Sequence, residues 1–114
     1  MAKRIDLGVP GVRLNETGHR ALRLIADRAR GKNRLACAPV QIGRRKFGPA
    51  LGLSETSVIR ACRLLEQEGL VVTEGVHLES GAQVANSYAL TALGIEVLRL
   101  ADIAVAEGRV GTRR

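Results

Sequence analysis

The sequence predicts a mainly α fold carrying one small β-hairpin (α+β), on three observations. Residues 16–30, 54–68 and 92–107 each repeat their apolar side chains at the spacing of a helix. Two short runs, Leu70-Val71-Val72-Thr73 and Ser87-Tyr88-Ala89-Leu90-Thr91, bracket the turn-forming cluster Glu79-Ser80-Gly81-Ala82-Gln83, as a hairpin requires. The composition is 46% hydrophobic with one Phe, one Tyr and no Trp, so the core is aliphatic and suits short packed helices. The 114 residues supply one modest core of this kind.

Met1 to Leu14 has no helical or strand period and contains Gly8, Pro10 and Gly11, so residues 1–14 read as a flexible basic arm bearing Lys3, Arg4 and Arg13. The first helix is expected from Glu16 to Arg30, capped by Asn15 and stopped by Gly31. Ala21, Leu22, Ile25 and Ala29 share its apolar face, and Arg20, Arg23, Asp27 and Arg30 gather opposite. After the basic loop Gly31-Lys32-Asn33-Arg34, residues 39–43 read as a short edge strand because Val40 and Ile42 alternate. A brief second helix is expected around Phe47 to Leu51, placed there because Pro49 fits a first turn. The third helix starts at the cap Ser54 and stops at Gly69, with Val58, Ala61, Cys62 and Leu65 on its buried stripe. The hairpin follows, and a last helix from Ala92 to Glu107 precedes a basic tail at 108–114. The domain reading is therefore 15–91 as the folded unit and 92–107 as a helix for dimerisation.

Charge is unevenly distributed. The formal net charge is +7, but Met1 to Arg63 holds 14 Lys/Arg against 4 Asp/Glu, and Leu64 to Arg114 holds 4 against 7. A polyanion is drawn to the first half, and a nucleic-acid backbone is the commonest such partner; a basic solubilising face is the alternative. No apolar run approaches the roughly 20 residues of a membrane span, and no apolar stretch follows the basic start as in a signal peptide. Cys37 and Cys62 are the two cysteines, which fits a reduced, cytoplasmic setting better than a disulfide scaffold.

The informative stretch is Leu51-Gly52-Leu53-Ser54-Glu55-Thr56-Ser57-Val58, continuing to Leu64-Leu65-Glu66-Gln67-Glu68-Gly69-Leu70-Val71. Gly52 permits a sharp turn between two crossed helices and the flanking apolar residues pin them. Ser54 then starts a helix whose first turns project small polar groups and an Arg, an arrangement suited to base edges in a major groove. Together with Val58-Ile59-Arg60, the Asn86-Ser87-Tyr88-Ala89-Leu90-Thr91 run and Gly94, these residues resemble winged helix-turn-helix regulators of the MarR-like group over roughly Pro39 to Leu98. The resemblance implies DNA binding, dimers and usually repression.

On that reading Thr56, Ser57, Ile59 and Arg60 contact bases: an Arg grips guanine, Thr or Ser reads various edges, and Ile59 meets a thymine methyl. Arg44, Arg45, Lys46, Ser54 and Arg63 contact the phosphate backbone. The wing offers Ser80, Gln83 and Asn86 but no cation, so its role is expected to be small and polar. In the last helix Leu93, Val97, Leu100, Ala101 and Ala104 form one face, read as the dimer contact. His19 and His77 lack ligand-spaced partners, so no metal and no cofactor is expected. No nucleophile–base set or acid pair stands out, so the chain is read as a non-enzyme. The partners expected are double-stranded DNA and a second copy, with no membrane. Two other readings stay open: an accessory DNA-binding factor for replication, partition or excision, and a winged-helix protein–protein adaptor.

Overall fold

The computed structural model describes residues 4–5, 7, 13–30, 39–77, 83–108 and 110–111. In chain order these form β1 (Arg4–Ile5), α1 (Glu16–Arg30), β2 (Val40–Gly43), α2 (Arg44–Leu51), α3 (Glu55–Gln67), β3 (Val71–His77), β4 (Gln83–Leu90), α4 (Ala92–Ala106) and β5 (Val110–Gly111). The fold is mainly helical with a three-stranded antiparallel sheet of order β2-β4-β3 and a separate β1–β5 pair.

α1 forms as its sequence dictates. The Asn15 side chain accepts the Gly18 amide at 2.7 Å, satisfying an amide left open by the helix start. Its stripe Ala21, Leu22, Ile25 and Ala29 is fully buried. The opposite face is not simply a solvated basic surface. Arg20 donates to the Leu51 carbonyl at the end of α2, and Arg23 pairs with Asp102 of α4 as well as with Asp27 at 3.4 Å. His19 also meets Asp102, at 2.7 Å. Burial, then the Arg23 charge, holds its imidazole below the ordinary range against the pull of Glu16. The carboxylate can only accept, so the ring donates its Nε2–H to it.

α2 begins at Arg44, earlier than expected, and Pro49 lies in its second turn rather than its first. In so short a helix the proline removes one hydrogen bond, the one its amide would have made to the Arg45 carbonyl, and the run from Arg44 tolerates that loss. The turn into α3 is closed by Gly52 N–H donating to the Pro49 carbonyl at 3.2 Å and Leu53 N–H to the Gly48 carbonyl at 2.9 Å. Gly52 sits at φ 68, the left-handed region that an L side chain enters at a cost. α3 ends when Leu70 N–H bonds the Leu65 carbonyl at 2.8 Å and Gly69 N–H the Glu66 carbonyl at 3.0 Å, the paired closure of a glycine-terminated helix.

The hairpin strands run longer than their apolar cores implied, to His77 and back from Gln83, with an irregularity between Val76 and His77. β4 is the central strand: Tyr88 pairs with Val40 on one side and Thr73 on the other. Phe47 of α2 meets Tyr88 edge-to-face, ring centroids 5.2 Å apart, and so joins the helices to the sheet. Thr91, read as the end of a strand, instead caps α4.

The largest departure concerns the chain's ends. The segment read as a flexible arm buries Ile5, Leu7 and Leu14. Ile5 N–H bonds the Leu14 carbonyl at 3.1 Å, and Arg4–Ile5 pairs antiparallel with Val110–Gly111, inside the segment read as a basic tail. β1 packs on α4, so these apolar side chains extend the core rather than solvate.

α4 approaches the start of β3 so closely that a Cβ at Gly94 would lie 2.0 Å from the Leu70 carbonyl oxygen. Gly94→Ala therefore forces α4 off the sheet, and its loss of thermal stability is expected to exceed the roughly 1–3 kcal/mol of ordinary overpacking. Gly52→Ala has open space around it and loses only about 1–2 kcal/mol from its backbone conformation. Denaturant unfolding of both variants checks the ranking, and equal losses contradict the close approach.

Candidate nucleic-acid interface

α3 holds the side chains read as base contacts. Ser54 caps it: its Oγ accepts the Ser57 amide at 3.2 Å and donates to the Ser57 hydroxyl at 3.0 Å. Val58, Ala61 and Leu65 are buried beneath the helix, anchoring it to the core. Thr56, Arg60, Arg63 and Gln67 are exposed and fall within an arc of about 60° at helical spacing. Ile59 lies at the edge of that arc and is 41% exposed. A neutral apolar side chain beside two guanidinium groups is a combination that suits a groove floor flanked by phosphates.

The other expected contacts divide. Ser57 is half-buried and its hydroxyl already accepts from Ser54, which leaves its O–H donor and one lone pair. Arg44, Arg45 and Lys46 open α2 rather than preceding it, and Lys46 is exposed. Ser80 lies outside the described residues. Gln83 begins β4 opposite His77, whereas Asn86 sits mid-strand between Ile42 and Gly75 and so is not a tip residue.

The face of α4 read as a dimer contact is corrected. Val97, Ala101 and Ala104 are buried in the monomer's own core, because α4 packs on α1, β1 and β4. Leu100 is half-buried, and the apolar side chains of α4 left outside include Leu93 at 45% and Ile103 at 37% exposed.

One further feature went unread in the sequence. A cleft of about 230 Å³ opens between α3 and the sheet, with Phe47, Cys62, Thr73 and Tyr88 among its lining. Burial pushes the Cys62 thiol up to about 11, with Glu66 adding to the rise and a hydrogen bond from Tyr88 opposing it, so it stays protonated at neutral pH. These residues come from four elements, and no local spacing brings them together.

Among the described residues no group of three His, Cys, Asp or Glu side chains could hold a metal, and no helix is long and apolar enough to cross a membrane.

No family model and no curated protein matches the sequence. Among solved structures, the PcaV transcriptional regulator of Streptomyces coelicolor superposes with a TM-score of 0.60 at 17% identity, over 82% of this chain and 57% of that one. ZitR of Lactococcus lactis in complex with DNA gives 0.59 at 16% identity, over 86% of this chain and 57% of that one. The adhesin competence repressor AdcR of Streptococcus pyogenes gives 0.55 at 16% identity, over 83% and 60%. This chain thus spans less than two thirds of the length of each. Its fold is the winged helix-turn-helix of MarR-type regulators.

Proposed function

We propose that this protein is a duplex-DNA-binding transcription regulator, a repressor that acts as a dimer with α3 in the major groove. The observation that supports this most is the two-sided character of α3. Its inner face is buried at Val58, Ala61 and Leu65, while Thr56, Arg60 and Arg63 stand exposed together beyond a serine cap. A rigidly seated helix with a polar, cationic outer arc is what direct readout needs: the seat fixes the register and the arc meets the bases. The DNA-bound state of ZitR, which shares the fold, is consistent with it.

Within this reading Arg60 and Thr56 reach base edges, Ile59 meets a thymine methyl, and Ser57 offers its hydroxyl proton. Arg63 lies farther along the helix and takes phosphate, as do Arg44, Arg45 and Lys46 at the start of α2, with Ser54 beside them. The dimer forms through the outer stripe of α4, where Leu93, Leu100 and Ile103 border the buried face. A two-fold pair sets two copies of α3 about 34 Å apart, one turn of duplex.

Arg60→Ala is expected to lose about 1–3 kcal/mol on the preferred site and to relax preference at one base position. Lys46→Ala should weaken all duplexes alike and lower the salt slope by about one. Fluorescence anisotropy against salt, on a duplex selected from random sequence, measures both, and wild-type binding by both variants rejects the docking face.

Leu93→Glu with Ile103→Glu should yield a folded monomer by sedimentation, with markedly weaker binding to a two-half-site duplex. A wild-type protein that stays monomeric at micromolar concentration, yet fully binds one half-site, rejects the dimer.

A further inference from the structure

α3 carries one outward apolar side chain that neither its seat on the core nor attraction to phosphate explains. Among the described residues, Ile59 is the one large apolar side chain of α2 and α3 that is exposed, at 41%. Val58, Ala61 and Leu65 already anchor the helix from beneath. The neighbours of Ile59 along α3 include Thr56 three residues before, Arg60 next in the chain and Arg63 four residues on, all exposed. Cations alone serve to hold a phosphate backbone. An isoleucine among them gains only when its surface leaves water against another apolar group.

The major groove offers one apolar group, the methyl at C5 of a pyrimidine; its other readable groups are hydrogen-bond donors and acceptors. Thymine always carries that methyl, and cytosine carries it only when methylated. Ile59 suits the contact, because branching at Cβ leaves one strongly preferred χ1 rotamer in a helix and little side-chain entropy is lost on binding. Having no hydrogen-bonding group, it responds to the methyl and not to the donor or acceptor at C4. Arg60 fixes where the methyl stands. The two residues are about 1.5 Å apart along the helix axis, against about 3.4 Å between successive base pairs. Their side chains therefore meet the same or adjoining pairs, and an Arg takes the O6 and N7 of guanine.

We propose that Ile59 makes this protein a reader of C5 methylation. α3 favours duplexes in which the pyrimidine adjoining the guanine held by Arg60 carries a C5-methyl, as thymine or as 5-methylcytosine. Methylation of a cytosine at this step converts a weaker site into a stronger one. This rests on α3 lying in the major groove, and it adds a modification state of the DNA to what the helix recognises.

Fluorescence anisotropy of the full chain on the duplex selected from random sequence tests this. Each thymine is replaced singly by deoxyuridine, and at the position that responds the pyrimidine is then made cytosine or 5-methylcytosine, opposite guanine. Thymine against uracil, and 5-methylcytosine against cytosine, each differ by one methyl and by no hydrogen-bonding group. At one position, beside the guanine where Arg60→Ala relaxes preference, each methylated base should bind about fourfold tighter than its counterpart, the gain of burying one methyl. Ile59→Ala should bring both ratios to one, whatever the absolute affinities. Ile59→Val, the milder change, should leave the thymine-to-uracil ratio between one and that of the wild type. Ratios that survive in Ile59→Ala overturn the assignment, because the methyl then acts through duplex shape or another side chain. A duplex on which Arg60→Ala weakens binding but no single uracil does so overturns the methyl reading and leaves the docking of α3 standing. Failure to retain any duplex overturns the docking and the methyl reading together.

Discussion

Everything that aims α3 depends on how α4 is seated against the C-terminal end of that helix. Thr91 N–H bonds the Leu70 carbonyl at 3.0 Å, and its hydroxyl donates to the Gly69 carbonyl at 2.6 Å while accepting the Gly94 amide at 3.0 Å. One residue thus ties the exit of α3, the start of β3 and the first turn of α4. Leu70, fully buried, holds the same point from within. The packing is backbone against backbone, which leaves no long side chain to absorb an error. An angle set here is carried rigidly to the outer face of α3 and through β3 to the hairpin.

The same economy governs charge. The first half of the chain carries a large excess of Lys and Arg, yet not all of it faces outward to a polyanion. Arg20 covers the carbonyl end of α2, where a cation is favourable against the helix dipole. Arg23 joins α1 to α4 through Asp102, with His19 on the other carboxylate oxygen. Two of the arginines of α1 therefore brace the scaffold behind the helix-turn-helix. The cations on α3 and at the start of α2 form a smaller, better-placed set than a count of residues implies.

Much of this was legible because the signals were local. Asn15 and Ser54 are caps whose effect reaches three residues, and the stripes of α1 and α3 repeat within one helix. The hairpin was legible for its turn chemistry, though its strands proved longer because pairing in register carries polar residues along with apolar ones. What was missed was non-local. Ile5 looks like a loop residue until Val110 and α4 supply its partners. The helical wheel of α4 grouped Val97, Ala101 and Ala104, which close this chain's core, with Leu93, which does not. The cleft was invisible for the same reason, since Phe47, Cys62, Thr73 and Tyr88 converge only in three dimensions.

The pairing of β1 with β5 has a consequence for biosynthesis. Ile5 finds its strand partner in Val110, so its cross-strand contacts must wait for nearly the whole described chain to be made. At translation speeds of roughly 5–20 residues per second, the nascent segment spends several seconds with Ile5 unpaired while α1 and the helix-turn-helix already have local partners. Its docking closes a long loop and waits on Val110 rather than on its sequence neighbours. A ribosome stalled before Val110 therefore holds a chain in which α3 has formed while Ile5 still lacks its strand partner and is open to chaperones.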